Sequence, residues 1–159
     1  LNAGHYAIQS LRLEKAYRAW GSDLTLDDTP LEAGISFAVA WDKPGGFLGR
    51  DALLRQRDSG VRRRMASVVL VDPQPVLWGN EPIWRDGRRV GHTTSGAYGH
   101  TVGRAVALGY ITFERLMQRD QIAAECVEGR YEVELAGHRL PATVMLEAPL
   151  AAARDQVLA

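Results

Sequence analysis

The sequence predicts an α+β chain: a helical opening piece, then a small antiparallel β module of about six strands. Two patterns carry that prediction. Tyr6–Gly21 and Arg50–Arg57 have helical spacing, whereas from Met65 onward short apolar or alternating runs recur between turn residues. A third observation is that 46% of residues are apolar, yet none of the runs approaches the length needed to cross a bilayer, about 20 residues. That apolar content is available for a core.

Read as one helix, Tyr6–Gly21 places Tyr6, Leu13, Tyr17 and Trp20 in one stripe with Ser10 beside it. Ile8 and Leu11 take the opposite side, and Arg12, Glu14, Lys15 and Arg18 lie between. A helix apolar on two faces either lies between packed layers or lines a cleft whose contents stack on Tyr and Trp. Gly21 is the expected stop, and DLTLDDTP connects to Pro30. Across Glu32–Trp41, Ile35, Phe37, Val39 and Trp41 alternate with Ser36, Ala38 and Ala40, as in a strand with one large and one small face. The small face suits a flat ligand or a tightly packed neighbour. Asp42–Gly46 is a turn cluster, and the short helix Arg50–Arg57 closes at Ser59-Gly60.

In the β module, Ala66–Val71 is a buried strand ended by Asp72-Pro73-Gln74-Pro75. Pro82–Arg85 and Arg88–His92 flank Asp86-Gly87, a type I′ hairpin signal because both central residues need positive φ. Arg104–Ile111 is a further strand. Val127 and Tyr131–Leu135 suggest a hairpin about Glu128-Gly129-Arg130, and Gly137 turns the chain into His138–Leu146. Pro141 there argues for an edge or a bulge. Strands at this spacing read as a barrel or a sandwich. The boundary falls between Arg57 and Met65, which gives units 1–60 and 61–150 and a loose tail at 151–159. The first unit is too small to close a core alone. With Leu1 in place of an initiator Met and an immediate amphipathic segment, a piece of a longer protein is expected.

Formal net charge is zero, so no global field attracts nucleic acid or an anionic membrane, and neither partner is expected. The one local basic run, Arg62–Arg64 with Arg57 nearby, reads as a solvated edge. Cys126 is the sole cysteine and has no internal disulfide partner. In an apparent strand, with nothing nearby to lower its pKa, it is a weak nucleophile. His5, His92, His100 and His138 are isolated and lack zinc-site spacing. Ser95 in TTSGAYG is not in a GxSxG elbow, and PGGFLG lacks the Gly-Lys-Ser/Thr ending of a phosphate loop. Asp27, Asp28 and Glu32 suit capping or solvation. Tyr6, Tyr17, Trp20, Arg12 and Glu14 are better placed for binding, since aromatic faces stack heterocycles while a guanidinium and a carboxylate pair their edges. On a helix, however, Arg12 and Glu14 point different ways, and Glu14 and Arg18, four apart, suit an ion pair.

Four stretches, SLRLEKAYRAWGSDL, TPLEAGISFAVAWDK, GFLGRDAL and EPIWRDGRRVGHTTSGAYGHTVGRAVALGYI, resemble the C-terminal third of the glycine-cleavage T-protein (aminomethyltransferase) family. The resemblance is stronger to the folate-binding halves of dimethylglycine and sarcosine dehydrogenases and dimethylglycine oxidase. It implies the C-terminal part of a folate-binding aminomethyltransferase-type domain, followed by the barrel. It further implies tetrahydrofolate as cofactor, a methylated amine as donor, and neighbouring domains of the same parent, with FAD on an upstream domain in the dehydrogenase branch. The resemblance also implies a cytoplasmic location, or the mitochondrial matrix in a eukaryote. Tyr17 matches a position where family members present a Tyr to folate, and Tyr6 matches a folate-contacting Tyr of the dehydrogenase branch. Arg12 and Glu14 belong to the shared Leu-Arg-Leu-Glu text, where structural pairing is expected, and Trp20 to the Trp-Gly that follows. Ile8 replaces the folate-binding Arg of simpler T-proteins. The family's catalytic Asp and pterin-binding Glu fall before residue 1, so this chain alone is expected to be inactive. EAPLAAARD lacks the terminal Tyr of some T-proteins, and GFLGRDAL replaces the Lys-Gly-Cys-Tyr of the iron–sulfur repair relatives. A scaffold module that kept the barrel without folate, and a folate-dependent demethylase, are the alternatives.

Overall fold

Strand β4 (Arg104–Met117) explains why the second half of the chain closes on itself. Ala105, Ala107, Ile111 and Phe113 join one buried cluster, while Val106, Leu108 and Tyr110 join another. A strand buried on both faces reads as a continuous apolar run. In the computed structural model, which describes residues 4–151, six antiparallel strands form a closed barrel in the order β1-β4-β3-β2-β5-β6. The other strands are β1 (Val61–Leu70), β2 (Pro82–Arg85), β3 (Arg88–Gly99), β5 (Tyr131–Leu135) and β6 (His138–Met145). β6 pairs back onto β1, Ser67 opposite Met145 through Leu70 opposite Ala142, so no edge remains open. Val68, Leu70, Ile83, Val133 and Val144 fill the interior. Helix α1 (His5–Glu14) lies on the outer wall, with Leu13 packed on Met65, Val69 and Leu108. Helix α2 (Arg50–Ser59) precedes β1, and α3 (Arg119–Glu128) closes one end of the core through Ile122 and Cys126.

The hairpin at Asp86-Gly87 has φ of 49° and 81°, and Ala136-Gly137 repeats it with 51° and 81°. Pro141 meets its requirement in a way particular to a closed sheet. Its carbonyl accepts from Val71 just past the end of β1, so its missing N–H falls where that ladder has ended.

Several elements differ from the expectations above. Helix α1 stops at Glu14 rather than Gly21, because Ala16 adopts a left-handed φ of 54°. The amide of Tyr17 donates to Arg12 O (2.8 Å) and that of Ala16 to Leu13 O (3.0 Å), a Schellman stop built on alanine. Tyr17 and Trp20 therefore leave the helix, and the four-residue stripe does not exist. Glu32–Trp41 is a set of turns with a 3-10 turn at Ser36–Ala38 and not a strand. Thr29 and Glu32 cap each other reciprocally and turn the chain, and a closed barrel has no edge for another strand to join. Cys126 and Val127 lie on α3, so the hairpin expected at Val127 is a helix-to-strand connection. Reciprocal bonds between Gln118 and Gln121 start that helix, and burial falls on Ile122 and Cys126, one turn apart. Nor do Arg62–Arg64 form a solvated edge. Arg62 is exposed, but Arg63 pairs with Asp28 (2.8 Å) and lies 4.8 Å from the Tyr110 ring centre, and Arg64 donates to Leu31 O. The loose tail expected after residue 151 lies outside the described residues. No described helix is long and apolar enough to cross a membrane, and no group of three or more His, Cys, Asp or Glu among the described residues suits a metal.

Candidate functional site

Strand β3 slips its register against β4 between Thr93 and Ser95. A bulge places consecutive side chains together. Here the Thr94 and Ser95 hydroxyls both donate to Oδ1 of Asp23, Ser95 at 2.7 Å. The other carboxylate oxygen, Oδ2, accepts from Arg12 Nη1 at 2.6 Å and from the Ala19 amide at 2.9 Å. Arg12 Nη2 donates to Ser95 Oγ (2.8 Å), its Nη1 to Tyr17 O (2.9 Å), and its Nε to Gln9. Tyr110 donates its hydroxyl to Asp23 O at 3.2 Å. This buried network binds α1, the segment after it and the barrel wall into one unit. Both ions are shielded, with side-chain exposures of 11% for Arg12 and 0% for Asp23. Such a pair holds only because each remaining donor and acceptor is met.

Glu14 is fixed separately. Its Oε1 accepts from the amides of Thr101 (2.6 Å) and Val102 (2.9 Å), which clamps the turn after β3 to α1. It makes no ion pair with Arg18, which donates instead to Ala33 O and Ala16 O. Burial lowers the pKa of Arg18, and burial together with the Asp28 carboxylate raises that of Tyr110.

Beside this unit lies a cleft of about 760 Å³, walled by Tyr6, Leu11, Trp78, Ala97, Tyr98 and His100, with Glu14 also on its lining. Tyr6 and Trp78 stand edge to face, ring centres 6.3 Å apart at 84°. Both are exposed, at 77% and 68%. Gly96 sets the cleft's shape, since a Cβ there would stand 2.5 Å from the backbone of Leu77. Of the residues picked out from the sequence, Tyr6 and Glu14 line the cleft. Arg12 serves the internal network, and Tyr17 and Trp20 are exposed beyond the helix. Sequence reasoning missed Asp23, Ser95 and Trp78. Asp23 follows a Gly-Ser in a polar connection, and Trp78 follows a proline-rich turn, so neither falls in a periodic pattern.

An α1-braced, closed six-stranded barrel with an aromatic cleft is the class of domain defined by this geometry. Residues 63–150 match the family model for the glycine cleavage T-protein C-terminal barrel domain, and residues 1–43 match that for the GCVT N-terminal domain. The chain belongs to the glycine cleavage T-protein family. It is 43% identical over 152 residues to the mitochondrial pyruvate dehydrogenase phosphatase regulatory subunit of Mus musculus, covering 91% of this chain and 17% of that protein. It is 39% identical over 150 residues to the mitochondrial dimethylglycine dehydrogenase of Rattus norvegicus, covering 92% and 16%. The crystal structure of glycine cleavage system aminomethyltransferase T from Bartonella henselae superposes with a TM-score of 0.74 at 28% identity, covering 91% of this chain and 38% of that one. The chain thus spans about a sixth of the length of these curated relatives.

Proposed function

We propose that this chain forms one wall of a tetrahydrofolate cavity, flanked by the barrel, in a longer protein that transfers a one-carbon unit from a methylated amine such as dimethylglycine or sarcosine to folate. The observation that carries the reading is the exposed pair Tyr6 and Trp78 at the cleft beside α1. Exposed aromatic faces on a rigid helix and an anchored loop suit a flat pterin, and Tyr17 and Trp20 offer further aromatic surface beyond the helix. Tetrahydrofolate, when bound, supplies the nitrogens that accept the one-carbon unit. The chain's own residues bind and orient. Tyr6 and Trp78 stack, Glu14 holds the turn after β3, and Arg12 acts as a positioning residue through Asp23. In this reading the catalytic groups, and FAD where oxidation precedes transfer, are contributed by other parts of the parent. The parent's proposed location is the cytoplasm, or the mitochondrial matrix in a eukaryote.

Calorimetric titration of the full-length protein with tetrahydrofolate tests this. Tyr6→Ala, Trp78→Ala and Tyr17→Ala should each weaken binding by about 1–3 kcal/mol through lost stacking. Unchanged affinity in all three would remove the reading. A second reading, a regulatory or scaffold module without folate, is favoured by the similarity to the phosphatase regulatory subunit and by Ile8 in place of the folate Arg. On that reading the wild-type protein gives no folate-binding heat at all.

A further inference from the structure

A second cavity, of about 220 Å³, opens where α2, the Leu31–Trp41 connection, the start of β1 and the start of α3 converge. Three guanidinium side chains line it, Arg57, Arg64 and Arg119, and no carboxylate does so among the described residues. Gln56, Gln118 and Trp41 complete the polar and aromatic part of the wall. Arg64 reaches it from β1. Its Nη1 donates to Leu31 O, but its Nε is shielded from solvent and meets no acceptor among the described residues. Gln56 Oε1 is likewise shielded and meets no donor. Arg18 adds charge nearby, because a Cβ on Gly34 would stand 2.8 Å from Arg18 Nη2 and 3.1 Å from Arg64 Nη2.

Among the described residues, carboxylates pair with this cluster only at its outer rim. Glu147 lies 3.7 Å from Arg119 and Asp58 lies 3.7 Å from Arg57, and all four side chains are at least half exposed. Solvent weakens such pairs and leaves most of their donors free. Among the described ion pairs, Arg64 has no partner. Water in the cavity carries no charge to set against three guanidinium-bearing residues in one small lining. A small space lined by guanidinium-bearing residues matches an oxyanion.

We propose that this cavity binds a small oxyanion, a phosphate or a short carboxylate, through Arg64 at its base and Arg57 and Arg119 at its rim. The volume excludes a nucleotide or folate. The site is distinct from the aromatic cleft, with which it shares no lining residue. Its occupant would tie α2 to the barrel. That helix buries none of its side chains fully and is held by Gln118 Nε2 bonds to Arg57 O (3.2 Å) and Asp58 O (2.9 Å) and by Arg57 over Trp41.

The test is calorimetric titration of the full-length protein with inorganic phosphate and with malonate, against potassium chloride at matched ionic strength, with hydrogen exchange of residues 50–59 followed in parallel. Saturable binding by either anion, with slowed exchange in α2, is expected, and whichever saturates first identifies tetrahedral or planar geometry. Arg57→Gln combined with Arg119→Gln, which leaves the barrel core intact, should weaken binding at least about tenfold. Arg64→Lys, which keeps a charge but loses the fork, should do the same. Saturating tetrahydrofolate should leave the anion affinity unchanged. Responses equal to those in chloride, unchanged affinity in both variants, or loss of anion binding when tetrahydrofolate is added would each overturn the proposal.

Discussion

Asp23 shows how much one side chain decides. Its carboxylate accepts from Arg12, from the Ala19 amide and from two hydroxyls of β3, with no solvent exposure of the side chain. Asp23→Asn keeps the shape but leaves the Arg12 guanidinium without its counter-charge. A destabilisation of about 3 kcal/mol is expected by urea unfolding, because an uncompensated buried charge is costlier than a missing hydrogen bond. A change below about 1 kcal/mol would show that the network relaxes around a neutral partner. Cys126 is an opposite case, a reactive group held inert. Burial pushes its thiol up to about 11. The native protein should therefore resist a disulfide reagent near neutral pH, and labelling should follow the unfolding rate. Rapid labelling of the folded protein would refute this.

At the scale of elements, the bulge in β3 does two things. It gathers Thr94 and Ser95 onto Asp23, and it precedes the close approach of Gly96 to the Leu77–Trp78 backbone. In Gly96→Ala the added methyl would meet Leu77 C at 2.5 Å and Trp78 N at 2.7 Å, atoms that move only with the loop. A loss of about 2 kcal/mol in stability is expected and, on the proposed function, weaker tetrahydrofolate binding, since Trp78 is carried on that loop. Retained stability with retained affinity would mean that the close approach of Gly96 does not fix the Leu77–Trp78 loop. The end of α1 makes a complementary point. A Schellman stop usually advertises itself by glycine, but here Ala16 supplies the left-handed residue, and a helix drawn on to Gly21 was the natural reading. The cost of that error was functional, since it placed Tyr17 and Trp20 on the face of Tyr6.

For the molecule as a whole, closure of the barrel governs both stability and site. Tyr110, Cys126 and Tyr131 all have pKa values raised chiefly by burial. The folded state then holds these protons more tightly than the unfolded chain. Their contribution is complete below the unfolded values and is lost as pH climbs through the folded ones, beginning for Cys126 near 9 and ending near 11. Unfolding free energy should fall steadily over that alkaline window, and Cys126→Ser should flatten its first part. A stability that stayed level there would contradict the buried placement of all three groups.

Much of the fold was legible because its signals are local. Asp86-Gly87 announces a hairpin through the φ its turn demands, and RAVALGYI announces a strand through its apolar text, which the fold buries on both faces. Arg50–Arg57 announces a helix by its spacing, with Gly60 at its cap. The alternation of Ile35, Phe37, Val39 and Trp41 misled because period alone cannot say whether a sheet edge is free to receive a strand. The polar network was not legible at all. Arg12, Asp23, Ser95 and Tyr110 are spread over nearly a hundred positions, and a bulge of one residue decides which hydroxyls meet.

From its residues alone the chain determined an α+β composition, an antiparallel β module with its hairpins at Asp86-Gly87 and Gly137, and an aromatic, family-like first helix. A barrel was already expected, but tertiary structure alone decided where that helix ends, the order in which the six strands close, and which aromatic side chains face the cleft. The physical reason is that turn chemistry and side-chain period act over a few residues. Buried charge pairing, sheet closure and the meeting of Tyr6 with Trp78 depend on segments that only the folded chain brings together.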